Sequence, residues 1–91
     1  MDLAALPGGD LVEAGLADLE AGKETIAALL VSIGAPRLRR IGFPVESPIA
    51  SPEDRLYSLL EKDDEDSAHS RYNALVRRLV SFERAAECAR E

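Results

Sequence analysis

The acidic run Asp63-Asp64-Glu65-Asp66, followed closely by His69, is the most obvious candidate for chemistry in this chain. Carboxylate oxygens suit hard divalent cations, and histidine is a common zinc ligand. A calcium loop, however, needs a glycine turn and a late bidentate glutamate, and neither follows here. Zinc needs three or four protein ligands. We therefore predict that the run is a solvated helix start, and we predict no metal site and no cofactor.

A second candidate combines His69, Arg71 and Tyr72, which lie within one helical turn and could belong to a small hydrolase or RNase site. No Ser-His-acid order, glycine-rich phosphate loop or paired-carboxylate pocket accompanies them. A bundle this short would have to build the necessary pocket at a dimer interface. Cys88, the only cysteine, excludes an internal disulfide and is expected to be a small packing residue. An enzyme is thus the weakest interpretation, and no catalytic residue is predicted.

Arginine supplies nine of the eleven basic residues, and most of the arginines fall into two groups. Guanidinium groups make bidentate contacts with carboxylates and phosphates, so such groups can recognise an anion or a partner. The predicted anion or partner patch consists of Arg37, Arg39, Arg40, Arg77 and Arg78. The favoured alternative is that these arginines pair with the protein's own 17 acidic residues.

The overall charge and the hydrophobic pattern limit the classes of partner. A net charge of −6 and an isoelectric point near 4.7 oppose general binding to nucleic acid or anionic membranes. The longest apolar run, Ile26 to Val31, is too short to cross a bilayer, and the N-terminal residues do not resemble a signal peptide. A lone thiol suits a reducing compartment. We predict a soluble, cytoplasmic protein without a membrane partner.

The elements that must position these residues begin with two predicted helices. Many Leu and Ala residues with few aromatic and β-branched ones favour helix over strand. The first helix is expected to begin at an Asp10 N-cap, with Glu13 completing a capping box, and to end at Gly22. The second begins by Thr25 and runs to Ile33. Because it is apolar on most sides, it should be the most buried element.

The middle of the chain is predicted to contain a short helix and a proline-rich crossover. Proline at the first turn favours a third helix over Pro36 to Ile41, which Gly42 should end. Residues 43–51 show neither helical nor strand periodicity, and their apolar side chains should lie on the core. The crossover should be largely extended, because residues before proline avoid the α region. Ser51-Pro52-Glu53-Asp54 then starts a fourth helix with a serine cap, which should end near Lys62.

The last helix, about Ser67 to Arg90, carries the clearest pattern in the sequence. Its apolar residues recur at spacings of four and three: Ala68, Tyr72, Leu75, Leu79, Phe82, Ala86 and Ala89. Such a helix is about 36 Å long, and neighbouring helices of about 10–12 residues would cover only half of it. We therefore predict that its C-terminal part overhangs and meets a second helix. The predicted interaction residues are Tyr72, Leu79, Phe82, Ala86 and Ala89.

These patterns predict an all-α fold, a compact helical bundle of four main helices plus a short one, with a proline-rich crossover in the middle. Residues 1–91 are expected to form a single domain, in which 1–9 are a loose or turning lead-in and 43–51 an internal linker. The predicted core consists of Val12, Leu16, Leu19, Ile26, Leu29, Leu30, Ile33, Leu56, Leu59, Leu60, Leu75, Leu79 and Phe82.

The leading functional prediction is a small non-enzymatic, cytosolic protein-interaction or regulatory module. It would act through its C-terminal amphipathic helix, as a homodimer or with a partner helix. The alternative is a nucleic-acid-associated regulator, antitoxin-like or transcription-associated, that uses Arg37, Arg39 and Arg40. The stretch from Thr25 to Ile41 resembles a helix-turn-helix, with an apolar helix, a glycine and a basic helix. Its second helix, of only about six residues, is short for reading a major groove, so nucleic acid is not the predicted partner.

Overall fold

The computed structural model describes the backbone of residues 5–90 and the side chains of residues 5–89. Within this range the chain forms five helices and no strand: α1 (Gly9–Glu20), α2 (Ile26–Ile33), α3 (Ala35–Ile41), α4 (Pro52–Asp63) and α5 (Ala68–Arg90). The predicted all-α bundle of four main helices plus a short one is confirmed. Residues 1–4 of the predicted lead-in lie outside the described residues.

The start of α1 differs from the sequence prediction. Gly8 occupies the N-cap position with φ 71°, and no side chain caps the helix. A Cβ atom on Gly8 would lie 2.6 Å from the carbonyl oxygen of Arg78, so the chain passes very close to α5 at the start of α1. The predicted Asp10 N-cap is therefore wrong. Asp10 lies in the first turn instead, where its negative charge favours the helix dipole.

Glycine ends two of the helices as predicted. Gly22 follows α1 with φ 73°, a left-handed conformation that suits glycine. Its N–H group donates to the Leu19 carbonyl, and the next N–H, from Lys23, donates to the Asp18 carbonyl. These are the two hydrogen bonds of a Schellman motif. Gly42 ends α3 in the same way, with φ 110°.

α2 is the centre of the bundle and packs against all four other helices. Its N-cap Thr25 accepts a hydrogen bond from the Ala28 N–H group at 3.1 Å. Every residue from Ala27 to Ser32 is buried. The prediction that this helix is the most buried element is confirmed. A helix that is apolar on most sides can contact neighbours in every direction, which explains its central place.

The crossover between α3 and α4 lies on the core, as predicted. Val45 is buried, and Ile49 packs partly against the core. The Arg39 Nε–H group donates to the Val45 carbonyl at 2.8 Å. Further along, the Ser32 hydroxyl accepts a hydrogen bond from the Ile49 N–H group at 3.0 Å. These two bonds attach the crossover to α3 and α2, and together with apolar burial they give it a fixed path.

Two serines of the crossover depart from the expected extended conformation. Ser47 has φ 53° and Ser51 has φ 50°, and each precedes a proline. The proline ring disfavours the right-handed α region for both, and both take the left-handed one instead. Ser51 is the N-cap of α4, but its side chain forms no cap hydrogen bond. A capping side chain needs extended backbone to reach the first turn, so the predicted serine cap is wrong in this detail.

The acidic run also lies differently from the prediction. Asp63 is the last residue of α4 and Asp64 is its C-cap, so the run does not form the first turn of α5. The Asp63 carboxylate pairs with the Arg71 guanidinium at 2.6 Å. The Asp64 carboxylate accepts a hydrogen bond from the Asp66 N–H group at 3.1 Å. These contacts offset the unfavourable position of acids at a helix C-terminus.

The predicted core is partly confirmed. Its fully buried members are Val12, Leu29, Leu30, Leu56, Leu60, Leu79 and Phe82. The others pack against this cluster while remaining partly exposed: Leu16, Leu19, Ile26, Ile33, Leu59 and Leu75. The prediction missed Leu38 and Ile41 of α3, both buried. No helix within residues 5–90 combines the length and the apolar character needed to cross a membrane.

Candidate interaction surface

The predicted interaction stripe of α5 faces the protein's own core. Leu79, Phe82 and Ala86 are buried, Tyr72 is half-buried, and only Ala89, near the end of the helix, is exposed. The expected overhang at Phe82 and Ala86 is therefore wrong. A partner helix cannot approach these side chains without displacing the helices that already cover them.

Two shorter helices contact different parts of α5. α4 packs against its N-terminal part, where the Tyr57 and Tyr72 rings lie 5.7 Å apart. α3 packs against its C-terminal part, and just beyond α3 the Phe43 ring lies 5.4 Å from that of Phe82. One short helix could not cover the stripe, but α4 and α3 contact different parts of it, and α1 and α2 also pack on α5.

A different face of α5 borders an open groove. Ile33 at the end of α2, Pro36 in α3, and Val76 and Val80 in α5 line a depression of about 290 Å³. Pro36 is exposed, and the other three side chains are only half-buried. We call this depression the α3–α5 groove. Val76 and Val80 are four residues apart, so they lie one above the other along the helix.

Gly34, at the junction of α2 and α3, sets how closely these helices approach α5. A Cβ atom at this position would lie 3.0 Å from the Leu79 Cδ1 atom and 3.1 Å from the Glu83 Oε2 atom. The missing side chain lets the corner pack directly onto Leu79. The floor of the α3–α5 groove consequently consists of the Gly34 backbone and the buried Leu79 side chain, and Val76 and Val80 form one wall.

Arg37 and Glu83 also line the groove, and they belong to an ion-pair cluster that joins α3 to α5. Glu83 is only 4% exposed, and its carboxylate lies 3.7 Å from the Arg37 Nη1 atom. The Arg37 Nε–H group donates to the Glu87 carboxylate at 2.8 Å. Burial raises the pKa of Glu83, although the Arg37 charge opposes this effect. The hydrogen bond from Arg37 lowers the pKa of Glu87 and raises that of Arg37.

Three arginines of the predicted patch are bound by the protein itself. Arg37 belongs to the cluster just described, and Arg39 donates to the backbone of Val45. The Arg78 Nη2 group contacts the Asp10 carboxylate at 3.0 Å. For these three residues the structure agrees with the alternative interpretation, in which arginines satisfy groups of their own chain.

Three other arginines lie in or beside the α3–α5 groove. Arg40 lines it from α3, and Arg77 and Arg84 lie on α5, three residues before and four after Val80. All three are exposed, and none forms an ion pair with another described side chain. Residues at these spacings share one helix face, so Arg77 and Arg84 flank Val80. The predicted patch is thus divided, and Arg84 joins the exposed part of it.

A second groove, the α2–α5 groove of about 240 Å³, lies on another side of α5. It is lined by Ile26, Arg71, Ala74, Leu75 and Arg78. Both of its arginines are in ion pairs, Arg71 with Asp63 and Arg78 with Asp10. The two grooves therefore combine arginines with apolar residues in similar ways, but the charges of the α2–α5 groove are already neutralised.

The remaining chemical candidates do not come together. Arg71 pairs with Asp63, the Tyr72 ring packs on Tyr57, and the His69 Nε2 atom lies 3.2 Å from the Asn73 amide nitrogen. Among the described side chains, no group of three His, Cys, Asp or Glu residues could hold a metal ion. Cys88 is exposed, so the prediction that it is a packing residue is wrong.

The sequence pattern places Val76 and Val80 only as a flank that broadens the predicted stripe, and it misses Glu83 and Glu87. Val76, Val80, Glu83 and Glu87 recur at spacings of four, three and four, which forms a second stripe beside the predicted one. The two acidic members conceal this stripe in a search for apolar periodicity. An arginine on a facing helix, such as Arg37, is the signal that could have revealed this stripe, because its charge permits carboxylates to lie at partly buried positions.

Comparison of the chain with known proteins finds no matching family model, no similar curated protein and no similar solved structure. A proposal about function therefore depends on the chemistry of the grooves.

Proposed function

We propose that the protein is a small non-enzymatic protein-interaction module that binds its partner at the α3–α5 groove. The observation that carries the proposal is the half-buried strip of Ile33, Val76 and Val80, beside which Arg40, Arg77 and Arg84 form no ion pair with a described side chain. Protein interfaces combine a desolvated apolar centre with a polar rim, and arginine is enriched in them. This surface offers both.

The groove suits a protein partner better than nucleic acid. Binding to nucleic acid depends on attraction of a long phosphate backbone, which the net charge of −6 opposes. Phosphate contacts also leave an apolar strip without a complement. The nucleic-acid alternative through Arg37, Arg39 and Arg40 is weakened further, because Arg37 and Arg39 are engaged within the chain.

The same charges favour a partner helix over a homodimer. In a two-fold symmetric dimer the same patch meets itself, so Arg40, Arg77 and Arg84 would face their own copies. Like charges at such a contact oppose association. We therefore propose binding to a different chain. A reducing, cytosolic location, which the exposed thiol of Cys88 suits, is part of the proposal.

A displayed library of random peptides, each about 20 residues long, tests the proposal. The protein and its Val76→Asp/Val80→Asp variant are used as baits. The control variant, Ala14→Asp/Ala17→Asp, adds the same charge at exposed positions of α1, away from the groove and its arginines. The wild type and the control should enrich the same peptides, and the valine variant should enrich none of them. Circular dichroism must show that all three proteins are equally helical.

Two outcomes would contradict the proposal. The first is that the wild type enriches no peptides in repeated selections. The second is that all three baits enrich the same peptides, since binding would then not depend on the α3–α5 groove.

A further inference from the structure

We infer that the α3–α5 groove binds an acidic amphipathic helix of a partner protein. This inference rests on the proposed function and adds the chemical nature of the partner. It is carried by the charge around the groove and by the spacing of that charge relative to the two valines.

The rim of the groove is positive although the protein as a whole is acidic. Arg40, Arg77 and Arg84 are exposed and form no ion pair with the side chains of residues 5–89. Glu83 and Glu87 lie nearby, but both are directed to Arg37. Because these two acids pair with Arg37, they do not neutralise the three arginines of the rim. A partner with carboxylates at matching positions would neutralise it and would be steered towards it.

The spacing of the arginines indicates a helical partner. Arg77 and Arg84 are seven residues apart on α5, which corresponds to about 10.5 Å along the helix axis. A second helix lying along α5 would place two of its own residues at this distance if they were also seven apart. In coiled coils, oppositely charged residues at such positions beside the apolar seam form ion pairs between the two helices.

Of the two valines in the apolar strip, Val80 lies between these two charges along α5 and supplies the centre of the contact, whereas Val76 lies just before Arg77. Val76 and Val80 are one helical turn apart, and Ile33 lies across the groove from them. The partner helix would have two acids seven residues apart. Its apolar residues would lie three and four positions after the first acid, because these positions share one helix face with both acids. The inferred partner motif is therefore an apolar pair between two carboxylates, on one face of a helix.

The experiment uses the same displayed library with two further baits. Arg77→Glu/Arg84→Glu reverses the rim, whereas Lys23→Glu/Lys62→Glu makes the same change in net charge at exposed lysines outside the groove rim. The wild type and the lysine variant should enrich peptides in which acids flank apolar residues at helical spacing. The arginine variant should bind these peptides at least about tenfold more weakly and should select basic flanks instead.

Each other outcome overturns the inference in a distinguishable way. Enriched peptides without acidic flanks, lost in Val76→Asp/Val80→Asp, would leave the proposed function intact and disprove the acidic partner. Enrichment that neither pair of variants changes would disprove both. Binding of duplex DNA or RNA oligonucleotides that the arginine variant alone loses would replace a protein partner with nucleic acid. Concentration-dependent self-association, lost in the arginine variant, would identify a second copy as the occupant.

Discussion

The two grooves beside α5 contain similar side chains but differ in how their arginines are used. In the α2–α5 groove, Arg78 contacts Asp10 of α1 and Arg71 contacts Asp63 of α4. In the α3–α5 groove, Arg77 and Arg84 have no acidic partner among the described side chains. Arg77 and Arg78 are adjacent in sequence, yet only Arg78 forms an ion pair with a described side chain. Whether an arginine is available to a partner depends on which helices pack around it.

The acidic residues of the chain explain the contrast. α1 and α4 both contain several carboxylates, and both contact the side of α5 that carries Arg71 and Arg78. α3, on the other side, contains three arginines and no acid. The arginines of the α2–α5 groove are neutralised by internal ion pairs, whereas Arg40, Arg77 and Arg84 at the α3–α5 groove are not neutralised by any described side chain. Four predictions test this comparison, from the largest expected effect to the smallest.

Replacing Phe82 with alanine should have the largest effect, because both grooves depend on the inner stripe of α5. Phe82 is fully buried, so Phe82→Ala should lower the free energy of unfolding by about 3–5 kcal/mol or abolish the cooperative transition. Val80, at the groove wall, is half-buried, and Val80→Ala should cost about 1 kcal/mol or less. Urea unfolding measures both. Equal losses would show that Val80 belongs to the core rather than to an open surface.

Adding a methyl group at Gly8 or Gly34 distinguishes how tightly the two sides of α5 are packed. Gly8 has a positive φ, and its new Cβ atom would meet the Arg78 carbonyl oxygen, which is fixed in the helix. Gly8→Ala should cost about 1 kcal/mol for the backbone conformation and about 1–3 kcal/mol more for the contact. At Gly34 the neighbours are the ends of Leu79 and Glu83, which can turn aside. Gly34→Ala should therefore cost less, and thermal unfolding measures the difference.

The reverse order would contradict the comparison. If Gly34→Ala were the more damaging change, the corner of α2 and α3 would be the rigid contact and α1 the adaptable one. A Gly22→Ala control isolates the conformational part. Gly22 also has a positive φ, but a Cβ atom added there would meet no atom of the described residues within 4 Å.

The pH dependence of stability should separate Glu83 from Glu87. The pKa of Glu83 is raised by burial, so above pH 4.5 the unfolded state ionises before the folded one, and stability falls as pH rises. The pKa of Glu87 is lowered by Arg37, so its stabilising contribution is present above pH 4.5 and is lost as pH falls below it. Glu83→Gln should reduce the decline at higher pH, and Glu87→Gln should reduce the loss at lower pH. The change for Glu83→Gln should be the larger, because Glu83 is buried whereas solvent screens the exposed Glu87 pair.

Melting temperatures measured between about pH 3 and pH 7 for the wild type and both variants give the two slopes. If both variants changed the curve in the same direction, the buried Glu83 carboxylate would be held by Arg37 as firmly as Glu87 is.

The smallest expected effect is the coupling between Asp10 and Arg78. Because this pair is exposed, a double-mutant cycle with alanine should give about 0.2–1 kcal/mol, decreasing in high salt. Arg77→Ala should change stability by less than about 0.5 kcal/mol, since no described side chain pairs with it. Urea unfolding at two salt concentrations measures both. An Arg77→Ala loss equal to that of Arg78→Ala would remove the distinction between the grooves.

Features that depend on local chain geometry could be predicted from the sequence. Gly22 and Gly42 end their helices because only a residue that tolerates positive φ suits those positions. Pro52 begins α4 because its ring is compatible with the first turn. The central place of α2 followed from its apolar composition. Each of these predictions needed no knowledge of a distant residue.

Features that depend on distant residues could not be predicted in this way. Gly8 rather than Asp10 begins α1, because the chain passes close to Arg78. The predicted overhang of Phe82 and Ala86 was wrong because the sequence does not show which helices pack onto the C-terminal part of α5. The position of Glu83 is a third example, since a buried carboxylate is tolerable only where Arg37 faces it.

The Ser32 hydroxyl has a consequence for the crossover between α3 and α4. It donates to the Ala28 carbonyl at 2.8 Å and accepts from the Ile49 N–H group at 3.0 Å. The Ile49 amide proton is therefore anchored to the most buried helix, although it lies in a segment without regular structure. In native-state hydrogen–deuterium exchange this proton should exchange more slowly than the neighbouring crossover amides, because the crossover must first detach from α2. A single amide would then report on the docking of a surface segment onto the central helix.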